Sequence, residues 1–243
     1  MESNAYIILG CATSGRRKVL YDLISDVAVE DNLFTILRES GETLNKWDEK
    51  IAGLPHVTIE TYESDVASIA TDQLNPHQQN IILSPGRENP VDQLEALMPL
   101  LESSGCGLSR IITVMHCDLL ETHKHMQNWY DACIHFSDAC LINRGSETTN
   151  QFLQDLADRY QTNHIPCLFV STKKGRVSNP NLILEPQARR ISHYFDLNDD
   201  WFEEEDEEDE DWEGPQEDPY MVKLVSGNRE KWLPDICKML DQE

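Results

Sequence analysis

A chain of 243 residues is long enough for one α/β domain of about 150–200 residues plus an appendage. Its 44 acidic and 20 basic side chains leave a net charge of −24, which argues against nucleic acid or an anionic membrane as partner, because phosphate is repelled at long range. The acidity is local: 14 of the 20 residues from 199 to 218 are Asp or Glu and none is Lys or Arg, so the rest of the chain carries −10.

The seven cysteines are scattered and never form C-x-x-C, the usage of reduced intracellular thiols rather than of a disulfide framework. The start lacks a basic leader region, and no apolar run approaches the ~18 residues that span a bilayer. A soluble cytoplasmic protein is the expectation.

Short β-rich runs alternate with helical patterns, the signature of a parallel sheet with crossover helices. In chain order the strands expected are 5–9, 33–37, 57–61, 80–83, 110–115, 139–143 and 165–171. The run Ile111-Ile112-Thr113-Val114-Met115 is near-continuously apolar, as in strands covered on both faces. Helices are expected over 15–25, over 91–102 behind Pro90, over 118–133, and around Phe152, Leu153, Leu156 and Tyr160. Pro99 should kink or shorten the second.

The expected organisation is an α/β domain over 1–192, an acidic linker or tail over 193–219 and a C-terminal piece over 220–243. That piece is read as a strand at 220–225 and a helix, capped by Asn228, carrying Trp232, Ile236, Met239 and Leu240. The acidic run is too polar to order itself by burial and reads as a solvated linker, a weak cation buffer, a protein-docking segment, or a strap folding back on a cationic loop.

That loop is Gly10-Cys11-Ala12-Thr13-Ser14-Gly15-Arg16-Arg17-Lys18, a G-x-x-x-x-G turn between the first strand and the first helix. The context suits phosphate, because loop and helix N-terminal amides converge there. A strand–helix turn that needs two glycines accounts for the same residues. Three successive cations in a helix first turn oppose the macrodipole unless an anion is bound, which favours an anion site. Cys11, beside these cations, is a candidate for a lowered thiol pKa.

With the segments that follow, the chain resembles the CobW/HypB/UreG-type P-loop GTPases, CobW-like proteins most of all, over about residues 5–175. Besides the loop, Ile81-Ile82-Leu83-Ser84-Pro85-Gly86, Ile111–Cys117, Ser137-Asp138-Ala139-Cys140-Leu141-Ile142-Asn143-Arg144 and Ile165–Ser171 are similar to the family's later motif strands, in the same order. The resemblance implies a three-layer P-loop NTPase-like fold with a mostly parallel sheet. It also implies a nucleotide site, with Gly10, Thr13, Ser14, Gly15, Arg16, Arg17 and Asn143 as the candidate nucleotide- or anion-binding residues.

The chain departs from that pattern where chemistry is done. Arg16 replaces the phosphate-reaching lysine, and Arg17 the hydroxyl that holds Mg²⁺. Leu83 or Ser84 takes the place of a carboxylate, His116 that of an aspartate, and Ser146 that of the guanine-reading aspartate, with Glu147 next to it. The family's C-x-C-C metal motif is missing.

The reading is therefore a CobW-like module, metallochaperone-like by resemblance, with degraded GTPase motifs. It would bind GTP, phosphate or another anion with doubtful need of Mg²⁺, and contact protein partners through the acidic segment. The alternatives are a working GTP-hydrolysing metallochaperone using Glu88 and Glu147, and an interaction protein with an empty loop. A zinc site from His116, Cys117, His123 and His125 is disfavoured, since on one helix the last two would face opposite sides.

Overall fold

The structure, a computed structural model, describes residues 3–145, 148–196 and 217–241. Seven strands form one sheet: β1 (Ser3–Leu9), β2 (Phe34–Glu39), β3 (Val57–Tyr62), β4 (Gln79–Leu83), β5 (Gly107–His116), β6 (Ala139–Asn143) and β7 (Leu168–Ser171). Their order is β3-β2-β4-β1-β5-β6-β7 and every pairing is parallel. At the centre Ile7 lies level with Ile82 on one side and Ile111 on the other. All seven strands fall where the apolar runs predict them.

Side chains alternate across this sheet, so each strand feeds two cores. Ala5, Ile7, Leu9, Ile82, Ile111 and Met115 belong to one apolar cluster, Tyr6, Ile8, Ile81, Ile112 and Val114 to the other. The second is covered by α1 (Arg16–Ile24), α2 (Lys46–Ala52) and α7 (Pro180–Leu184). The first is covered by α3 (Pro90–Ser104), α4 (Cys117–Thr122), α5 (Met126–His135) and α6 (Asn150–Thr162). The result is the expected three-layer α/β fold.

Local departures have physical causes. Pro99 does not shorten α3, which runs on to Ser104 and stops at Gly105 in the left-handed region, φ 72°. The single helix expected over 118–133 is two, α4 and α5, separated by a turn in which Met126 N–H donates to His123 O. The turn lets Leu119 and Leu120 be buried on α4, and Met126, Trp129, Tyr130 and Cys133 on α5.

The expected C-terminal strand at 220–225 is not part of the sheet; Lys223 makes an isolated bridge with Arg229. The helix expected from Asn228 shrinks to α8 (Cys237–Leu240), because Pro234 interrupts the pattern and biases the residue before it away from helix. Trp232, expected on its apolar face, is 71% exposed.

Tyr220, Met221, Ile236 and Leu240 nevertheless enter the first core. Arg229 donates to Asp92 and Glu95 on α3, and Lys223 to Glu95, at 2.7 Å each. Asp218 pairs with His135 at the end of α5, 2.8 Å away. Since Ile236 is fully packed there, Ile236→Ala should lower unfolding stability by about 2–5 kcal/mol in urea titration. An unchanged midpoint would contradict this docking.

Candidate functional site

From β1 the chain crosses past β4 to β2, and from β4 it returns past β1 to β5. The switch in direction opens a crevice at the carboxyl end of β1, the usual ligand position in open α/β sheets. A pocket of about 660 Å³ lies there, walled by Thr13, Gly15–Lys18, Glu42, Asn45, Trp47, Asn143, Arg144, Lys174 and Gly175 among others.

The two loop glycines are fixed by geometry. Gly10 has φ 134°, and a Cβ there would lie 2.5 Å from Val114 O. Gly15 has φ 85°, and its Cβ would lie 2.7 Å from Asn143 Nδ2. Positive φ combined with close backbone approach admits glycine at both. Gly15 precedes α1 without any side-chain cap, and the N–H groups of Lys18 and Val19 both turn back to Gly15 O at 3.1 Å.

Asn143, at the carboxyl end of β6, ties the loop down. Its Nδ2 donates to Ser14 O at 2.6 Å, and its Oδ1 accepts from Thr172 Oγ1 at 2.8 Å. Ser14 is fully buried, and its Oγ finds no hydrogen-bond partner among the described residues. Thr13 is half-exposed on the pocket wall.

Arg16 and Arg17 are buried, at 3% and 7% exposure. Arg16 donates from Nη1 to Ser84 O and from Nη2 to Glu42 Oε1. Arg17 donates from Nη2 to Glu42 Oε2, and from Nη1 to Thr43 O at 2.7 Å and Asp48 Oδ2 at 2.8 Å. The cationic first turn inferred from the sequence thus has an anion: among the described residues it is a carboxylate of the β2–α2 loop. The strap residues 199–216 lie outside the described residues.

Asp48 also accepts from Asn45 N–H at 2.7 Å, closing the capping box that starts α2. One carboxylate therefore nucleates a helix and neutralises an arginine. Lys18 lies against Gly175, where a Cβ would come within 2.7 Å of its Cδ, and its ammonium stands 5.5 Å from the Trp47 ring.

Other candidates resolve differently. Cys11 is fully buried, and burial pushes its thiol up rather than down, the reverse of the reactive-thiol expectation. Tyr130 Oη donates to its sulfur at 3.3 Å. His116 Nδ1 accepts from Leu119 N–H and caps α4, while burial raises Cys117 to about 12. His123 and His125 stand in the turn before α5, not on one helix, and no cluster of metal-binding side chains occurs among the described residues. Glu88 is exposed ahead of α3 and is not among the pocket-lining residues. Ser146 and Glu147 lie outside the described residues.

Glu42, Asp48, Trp47, Lys174 and Gly175 escape sequence reasoning. The signal available was Asn45-x-x-Asp48, a capping-box spacing in a stretch without helical periodicity.

Mg²⁺, which P-loop GTPase chemistry requires, does not fit these residues. The Arg17 guanidinium is buried beside the pocket, and the two carboxylates it meets, Glu42 and Asp48, are engaged by arginine. Burial alone would raise the Glu42 carboxyl, but Arg16 and Arg17 outweigh it and hold it below its ordinary 4.5. A depressed acid stabilises the fold above its unfolded value and stops doing so as pH falls through its folded value. Wild type should therefore lose stability more steeply than Glu42→Gln between about pH 5 and pH 3. Parallel profiles in urea titrations would contradict the pairing.

No protein-family profile matches the chain, and no curated protein matches it in sequence. Solved structures do. The Zn(II)-bound YjiA GTPase from E. coli superposes with a TM-score of 0.50 at 10% identity, over 78% of this chain and 67% of that one. Hydrogenase maturation factor HypB from Archaeoglobus fulgidus gives 0.49 at 13% identity, over 70% and 81%. Together with the all-parallel sheet, the first likeness establishes a three-layer α/β fold of the P-loop NTPase kind.

Proposed function

We propose that the chain is a CobW-like P-loop protein that binds a nucleotide or a simpler phosphate-class anion without Mg²⁺, as a binding or regulatory module and not as a hydrolase. One observation carries this reading: Arg17, where a Mg²⁺-holding hydroxyl would stand, is buried and clamped between Glu42 and Asp48. A guanidinium has donors and no lone pair to give a cation, and it repels one. Phosphoryl transfer rests on metal neutralisation and positioning, so its loss removes turnover before it removes binding.

Features that suit an anion support the reading. The start of α1 supplies the positive end of its dipole, and Thr13, Lys18 and Lys174 stand on the pocket wall. Asn143 keeps the loop in this shape. The context of metal-cofactor handling is suggested by the zinc-bound YjiA neighbour and belongs to the proposal.

Thermal-shift titration with GTP, GDP, ATP and inorganic phosphate, each with and without Mg²⁺, tests this. A ligand that binds the native state raises the midpoint with its concentration. Stabilisation that ignores the metal and is similar for the two bases is expected. Stabilisation by GTP alone, conditional on Mg²⁺, would restore the working GTPase.

A further inference from the structure

The carboxylate of Glu42 is held as a phosphoryl group would be. Each of its oxygens faces a different guanidinium, Oε1 that of Arg16 and Oε2 that of Arg17, and both arginines are nine-tenths or more buried. Such paired, charge-assisted contacts are the geometry by which arginines take phosphate. Glu42 is also the half-buried residue in an exposed run from Ser40 to Lys46, so with Thr43 O it fastens that loop to α1.

We propose that Arg16 and Arg17 form an oxyanion seat filled in cis by Glu42, and that a phosphate-class ligand enters by displacing this carboxylate. The inference rests on the anion-binding reading above and adds its direction: the ligand releases the 40–46 loop instead of closing it. The seat survives exchange, because Arg16 keeps Ser84 O and Arg17 keeps Asp48 when Glu42 leaves with its loop. Gly86 contributes to the fit, since a Cβ there would meet Ala12 N at 2.5 Å as well as the Arg16 guanidinium.

The test is inorganic phosphate titrated against the full chain, as wild type, Glu42→Gln and Arg16→Gln/Glu42→Gln, followed by thermal midpoint. Removing the competing charge should lower the half-stabilising phosphate concentration by about ten-fold or more, and the second substitution should abolish the gain. Equal concentrations for wild type and Glu42→Gln overturn the inference and leave anion binding standing. No response of any form to phosphate or nucleotide overturns both. Should Glu42→Gln fail to fold, amide exchange in wild type decides: faster exchange across 40–46 in saturating phosphate supports displacement, and unchanged or slower exchange refutes it.

Discussion

Two guanidinium groups in the first turn of α1 are buried, and two carboxylates and two backbone carbonyls from other segments meet them. A buried charge is tolerated when it is paired and its hydrogen bonds are met, and removing one partner leaves the other uncompensated. Glu42 answers both arginines, Asp48 answers Arg17, and the carbonyls of Thr43 and Ser84 take further donors. Through these contacts α1 holds the segment after β2 and the segment after β4 at once. Side chains and carbonyls of the chain itself perform this task.

The sheet makes this possible by bringing distant segments to one edge. The carboxyl ends of β1, β4 and β6 lie on one edge because every pairing is parallel. Gly10 and Gly15 allow the loop to press against Val114 O and Asn143, which brings Arg16 within reach of Ser84. Tyr220, Met221, Ile236 and Leu240 seal the opposite core, and ion pairs to α3 hold them there.

Much of the architecture is written in the sequence because a strand buried on both faces reads as a continuous apolar run. Ile111–Met115 and Ala139–Asn143 are plain for that reason, and the glycine turn is plain because positive φ at two fixed positions leaves little choice of residue. What sequence hides is pairing without a period. Glu42 meets Arg16 and Arg17 across 26 and 25 residues, in a polar stretch with no hydrophobic pattern. The cationic turn calls for a counter-charge but cannot say which of 44 acids supplies it. The C-terminal helix was overread because apolar spacing continued past Pro234, where the backbone cannot.

A double-mutant cycle between Glu42 and Arg16 tests the central claim most directly. Urea unfolding of wild type, Glu42→Gln, Arg16→Gln and the double variant should give a coupling energy above about 1 kcal/mol, since contacting partners in one ion-pair network fail to add. A coupling near zero would mean that this pair does not hold the loops to the helix, and the self-neutralised P-loop would fall with it.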